Sequence, residues 1–158
     1  MRSVLCSLLF AVTLLAQSAE EKIAIANLTS TLIGIGKTDA SRTNLSQRLA
    51  GDMLALVDRD REPSSALITA FAEEFTATLY GKALTTRSVD LLQQSIRDML
   101  RGTAATFASA ASLRQILSMA GVDPEASQLV TRRFMKIGEE VRGPDDLPLG
   151  RSPNSAPK

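Results

Sequence analysis

The stretch Leu84-Thr85-Thr86-Arg87-Ser88-Val89-Asp90-Leu91-Leu92-Gln93-Gln94-Ser95-Ile96-Arg97-Asp98-Met99-Leu100-Arg101-Gly102 decides the fold class. Val89, Leu92, Ile96 and Leu100 recur at the three- and four-residue spacing that lines one face of an α-helix. Leu84-Thr85 reads as a hydrophobic staple and N-cap, with Val89 at the packing position, and Gly102 as the stop. Both ends of this helix are therefore written in the chain, and no alternation of period two competes with it.

The same grammar repeats on either side. Upstream, Leu45, Leu49, Met53 and Leu56 form a stripe, widened by Ala50, Leu54 and Val57, that predicts a helix from Asn44 to Asp58. Pro63 with Ser64 and Ser65 opens a helix bearing Leu67, Ile68, Phe71, Phe75 and Leu79, with Gly81 as its C-terminal glycine. From Ile23 to Ile35 two readings compete, since Ile23 and Ile25 alternate like a strand while Ala24, Leu28, Leu32 and Ile35 follow helical spacing; the length of thirteen residues favours a helix ending near Gly34 or Gly36. Downstream, an Ala/Ser/Thr-rich segment leads into Leu113, Ile116, Leu117 and Ala120, closed by Gly121. Asp123-Pro124 then supplies an N-cap and a proline at the first helical position, where its missing N–H does no harm. The last helix carries Leu129, Val130, Phe134, Ile137 and Val141 and stops at Gly143-Pro144. No repeat or sustained heptad is present, so the expectation is an all-α fold, a single small bundle of five to six amphipathic helices.

The flanks are of another kind. Arg2 precedes the apolar run Val4–Ala16, and Gln17-Ser18-Ala19 leads into Glu20-Glu21. This is the layout of a secretory signal peptide, with cleavage expected after Ser18, and the run falls short of the roughly 20 residues of a spanning helix. Cys6 lies at the start of the apolar run, the wrong place for a lipid-modified cysteine. The organisation expected is a signal peptide at 1–18, a helical bundle at 19–142 and a flexible Pro-rich tail at 143–158. An exported location, periplasmic or extracellular, follows, with no membrane span left after cleavage. Cleavage removes Arg2 and Cys6, which turns the net charge of +1 into zero and leaves a chain of about 140 residues without a thiol. A domain of that length can rely on an ordinary hydrophobic core.

Composition excludes several chemistries. The chain has no His and one Cys, so Ser-His-Asp and Cys-His catalysis, zinc held by His or Cys, and haem held by either are ruled out. Gly36-Lys37-Thr38 resembles the end of a phosphate-binding loop, but Thr31 stands where that loop needs Gly. Asp58, Asp60 and Glu62 have the alternate spacing of a calcium loop, yet Pro63 replaces its turn glycine and Thr69 its last ligand. Ala120-Gly121-Val122-Asp123 could be the turn of a DNA-binding helix pair, but Leu117 and Ser127 do not suit it, and the expected mature chain has no net positive charge to hold phosphates. An αα-hairpin is the expectation there. Ser155 and Lys158 match S-x-x-K only formally, because Pro157 forbids the helical turn that catalysis needs. Asn27 and Asn44 head glycosylation sequons of the kind a Ser/Thr-rich chain acquires by chance. Glu73/Glu74 and Glu139/Glu140 diverge by about 100° on a helix and form no facing acid–base pair.

The segment Ile137-Gly138-Glu139-Glu140-Val141-Arg142-Gly143-Pro144-Asp145-Asp146-Leu147-Pro148 resembles the ending of a group of uncharacterised exported bacterial helical proteins, which close on a helix, V-R-G-P, an acidic residue and a further proline. The resemblance supports export and a helical end and carries no activity or ligand with it. The functional expectation is an exported, non-catalytic interaction or structural module with a protein partner, without cofactor, metal or nucleic acid. The tail is a candidate contact segment. The alternative is a carrier of an apolar small molecule, a lipid or quinone, with Phe71, Phe75, Phe107, Phe134 and the methionines lining its pocket.

Overall fold

The computed structural model describes residues 3–57, 62–102 and 106–142, with side chains from Ala19 onward and, in the fifth helix, from Phe107. All regular structure among these residues is helical. The elements are α1 (Ser3–Lys37), α2 (Arg42–Leu56), α3 (Ser65–Leu79), α4 (Thr86–Arg101), α5 (Thr106–Met119) and α6 (Pro124–Arg142). The all-α bundle expected from periodicity is the fold. The segment expected to be a signal peptide, 1–18, lies outside the described side chains, and the expected tail, 143–158, lies outside the described residues.

Two sequential three-helix sets pack on each other. In the first, α2 lies against both α1 and α3; in the second, α5 lies against α4 and α6. The sets are joined by α1 on α4, α3 on α6 and α2 on α4. Glu21 pairs with Arg101 at 2.9 Å at one end of the α1–α4 contact. At the other end, Gly36 lies so close to the α3–α4 loop that an added Cβ would stand 3.2 Å from the Lys82 carbonyl oxygen. These two helices therefore run antiparallel, as do α3 and α6.

The sequence stripes supply the core. Leu28, Leu32, Ile35, Leu45, Leu49, Met53, Ile68, Phe71, Phe75, Leu79, Leu92, Ile96 and Phe134 are all buried. Phe71 is the hinge of the aromatic packing, with ring centroids 5.4 Å from Phe75 and 6.0 Å from Phe134, both tilted. Such pairs add to the area term. One polar link crosses the first set: buried Thr31 donates its hydroxyl hydrogen to Asp52 Oδ2 at 2.6 Å.

Helix ends follow the local chemistry, with three adjustments. The Thr85 side chain accepts from the Ser88 N–H at 3.1 Å, as a cap should, and Leu84 is partly buried against the core to which Val89 belongs. Gly102 is left-handed (φ 62°), and Asp123 Oδ1 accepts from the Ala126 N–H at 2.9 Å at the head of α6. The first adjustment is that α2 begins at Arg42, before the expected Asn44, because Ser41 is the N-cap and accepts from the Asn44 N–H. Secondly, α1 runs unbroken from Ser3, through the residues expected to lie either side of a cleavage site. Thirdly, Leu129, expected on the packing face of α6, is 48% exposed. Val130 occupies the buried position instead, since adjacent residues lie 100° apart on the helix.

Candidate functional site

The three loops at one end of the bundle are tied to one another through the α3–α4 connection. Tyr80 donates its phenolic hydrogen to the Ala40 carbonyl at 2.9 Å, and the Gly81 N–H donates to the Ile35 carbonyl at 3.0 Å. Lys82 Nζ donates to the Gly121 carbonyl in the α5–α6 turn at 3.2 Å. Gly81 is left-handed at φ 73°. Thr38, just after α1, is left-handed too at φ 63°, the one non-glycine residue with positive φ among the described residues. The two left-handed positions adjoin, for a Cβ on Gly81 would meet Thr38 Cγ2 at 2.9 Å.

Beside this junction lies an open groove of about 430 Å³ between the end of α3 and the head of α6. Its origin is local sequence. Ala77, Gly121 and Ala126 are small, so two helices and a turn meet without filling the space between them. Glu74, Thr78, Lys82 and Asp123 supply polar groups around that floor. Most are already oriented. Glu74 is paired with Arg133 across α3 and α6, Thr78 donates to the Glu74 carbonyl at 2.8 Å, Lys82 holds Gly121, and Asp123 caps α6. Fixed polar groups around a small apolar floor suit the capture of one side chain or a small polar group.

The residues singled out by sequence distribute as follows. Gly36 is in the last turn of α1 and Lys37 is exposed, so their backbone N–H groups belong to a helix end and form no phosphate cradle. Asp58 and Asp60 lie outside the described residues, and Glu62 is exposed. Ala120 to Asp123 form a tight turn in which the Val122 N–H donates to Leu117 and the Gly121 N–H to Ser118, joining α5 and α6 as a packed hairpin. Ser155 and Lys158 lie outside the described residues. Asn27 and Asn44 are exposed on α1 and α2. Of the paired carboxylates, Glu73 and Glu139 are exposed, Glu74 is held by Arg133, and Glu140 accepts from the Ser64 N–H at 2.9 Å.

The four phenylalanines of the carrier reading do not meet. Phe71, Phe75 and Phe134 fill the core against one another, while Phe107 is 74% exposed on the first turn of α5. Met53 and Met99 are buried and Met119 is exposed. Among the described residues no three His, Cys, Asp or Glu side chains converge as a metal site, and no helix is long and apolar enough to cross a membrane.

The groove was not legible in the sequence. Its makers are alanines, a glycine and a lysine on separate elements, and only the pairing of α3 with α6 brings them together. The turn signal at Gly121-Val122-Asp123 marked one wall, with no indication of what faced it. Comparison with protein-family models, with curated proteins and with solved structures finds no match to this chain.

Proposed function

We propose that the protein is an exported, non-catalytic helical module that acts by contact with another protein, through the groove between α3 and α6. The observation that carries this reading is that groove: an open, small-residue floor bordered by polar groups already held in place. Preorganised polar groups around a concavity lower the ordering cost of binding. Exposed Met119, two residues before Gly121, offers an adaptable apolar contact close to the groove.

Export rests on the charged, apolar and polar zones of residues 1–18. Two structural facts are compatible with cleavage there. The first buried side chain described on α1 is Ala24, and the outermost described pairing of that helix is Glu21 with Arg101. Removal of residues 1–18 would leave both untouched and would set Glu20 and Glu21 in the new first turn, where carboxylates favour the helix dipole. The non-catalytic reading rests on the composition, which supplies no His and, after cleavage, no Cys.

The test is capture from envelope extracts of the expressing cell, comparing the unaltered protein with Ala126→Arg and Ala77→Arg, which fill the groove, and with Gln47→Arg on the exposed surface of α2. A partner retained by the unaltered protein and Gln47→Arg, and lost by both groove variants, is the expected result. Equal capture by all four would sink the groove as the contact.

A further inference from the structure

We infer that Met119 is a reversible oxidation site, taken to its sulfoxide by peroxide in the folded protein and returned by a dithiol-dependent sulfoxide reductase, and that its oxidation state regulates contact at the groove. The chain offers an oxidant few targets. It has no His and no Trp, and its one Cys, Cys6, lies in the segment expected to be cleaved. Its one Tyr, Tyr80, is half-buried with its hydroxyl hydrogen given to the Ala40 carbonyl. That leaves the thioethers. Met53 is 0% exposed and Met99 1%, and Met135 is partly buried against the core, whereas Met119 is 68% exposed. Sulfur oxidation follows access, so among the described methionines Met119 is the open one.

The step balances with peroxide as its only co-reactant. A lone pair on Sδ attacks one peroxide oxygen, the S–O bond forms as the O–O bond breaks, and the departing hydroxide takes the proton left on the transferred oxygen to become water. Sulfur loses an electron pair and the peroxide gains it. In the return step the reductase dithiol is oxidised to a disulfide and the sulfoxide oxygen leaves as water. Attack needs free approach along the O–O axis, which a flexible exposed side chain on the last residue of α5 provides. The thioethers of Met53 and Met99 meet peroxide only when the surrounding helices open, so their rates scale with the population of that opening.

Position gives the modification its consequence. Met119 ends α5, and the turn after it is closed by the Gly121 N–H on the Ser118 carbonyl and the Val122 N–H on the Leu117 carbonyl. Gly121, Val122 and Asp123 of that same turn line the groove between α3 and α6. Oxidation replaces a polarisable apolar group by a polar, chiral one carrying a strong acceptor. A partner surface shaped to the thioether would have to bury that oxygen unpaired, a loss of about tenfold or more in affinity. The core is untouched, so the fold survives the modification. Regulation of contact rests on the proposed function at the groove, whereas the selectivity of oxidation does not.

The experiment treats the full chain with graded hydrogen peroxide and follows the sulfoxide at each methionine by peptide mass spectrometry, beside a blocked free methionine. Met119 should oxidise within about threefold of the free compound, Met135 more slowly, and Met53 and Met99 at least about a hundredfold more slowly. The two epimer-specific sulfoxide reductases should then restore the original mass. Met119 reacting no faster than Met53 and Met99 would overturn the inference, as would a sulfoxide that the reductases leave in place. Once peroxide is removed, the singly oxidised protein enters the capture from envelope extracts. Captured partner should fall about tenfold or more and return after reduction, while Met119→Leu, which has no sulfur, should capture equally before and after peroxide. Undiminished capture by the oxidised protein, with Ala126→Arg and Ala77→Arg still losing the partner, would refute the regulation and leave the groove standing. Capture indifferent to the groove variants would instead remove the groove as the contact, and the oxidation rates would still decide the modification site.

Discussion

Replacing Gly81 by alanine should be among the costlier single-methyl insertions in this protein, and the reason can be separated into two parts by a second substitution. Gly81 has φ 73°, where a Cβ crowds the backbone at a cost of roughly 1–2 kcal/mol, offset in part by a stiffer unfolded chain. The new methyl would also stand 2.9 Å from Thr38 Cγ2. Thr38 cannot swing aside cheaply. It is β-branched, stiff about χ1, and itself left-handed at φ 63°. Overpacking of this kind costs about 1–3 kcal/mol, so Gly81→Ala should destabilise by about 2–3 kcal/mol in all. Thr38→Gly removes the methyl and relieves the strained φ, at the expense of unfolded-state entropy, for a net change between about zero and 1 kcal/mol in favour of folding. In the Thr38→Gly background, Gly81→Ala should cost only the backbone term, about 1 kcal/mol. The cycle therefore predicts a coupling of about 1–2 kcal/mol. Urea denaturation at equilibrium measures it, with unchanged m-values as the control that only stability has moved. A coupling below about 0.5 kcal/mol would show that the two positions do not meet as described, and would refute the account of this junction.

Three further outcomes follow from the packing and the caps. Phe71→Ala should cost about 3–5 kcal/mol in the same assay, because its ring meets both Phe75 and Phe134, whereas Phe107→Ala should stay within about 0.5 kcal/mol. Thr85→Ala should lose about 1 kcal/mol, because its side chain accepts from the Ser88 N–H, while Ser64→Ala should be near neutral, because the Ser64 side chain caps nothing. Equal losses at the two caps would contradict this assignment. Finally, mass spectrometry of the protein recovered from the expressing cell should find Ala19 as its first residue, and an intact Met1 or Arg2 would count against the signal peptide.

How much of this was legible in advance depended on the range of the interactions. Helix α4 was readable in full because its information is local: a staple and cap at Leu84 and Thr85, a stripe at three- and four-residue spacing, and a left-handed glycine at 102. The same holds for α6, headed by Asp123-Pro124. The exposure of Leu129 is not legible because Leu129 and Val130 are adjacent apolar residues, and periodicity alone does not say which of the two lies nearer the centre of the buried face. The sequence does not single out Ser41 as a cap, because it sits in a polar run where several residues could serve. The partners that define the groove were beyond reach for a different reason. Nothing in the residues of α3 alone says that Glu74 will find Arg133 59 positions later, or that the α3 N-terminus will be closed by Glu140 and not by Ser64.

That last substitution of roles bears on how the bundle is held. Ser64 stands at the N-cap of α3, yet its hydroxyl makes no cap bond and its own N–H is bonded to Glu140 Oε2. The carboxylate lies near the positive end of the α3 dipole, so it supplies both an acceptor and a favourable charge. With Glu74–Arg133 nearer the other end, α6 is fastened to α3 at two points, one carboxylate donated by each helix. Two fastenings of opposite polarity on one antiparallel pair fix its register as well as its approach, since a slide of one turn would break both. The groove needs that register. Ala77 on α3 and Ala126 on α6 leave space only when they face each other, and a shift of one turn would bring larger neighbours into it. The polar pairs between α3 and α6 add little stability one by one, and their consequence is the position of the concavity at the head of α6.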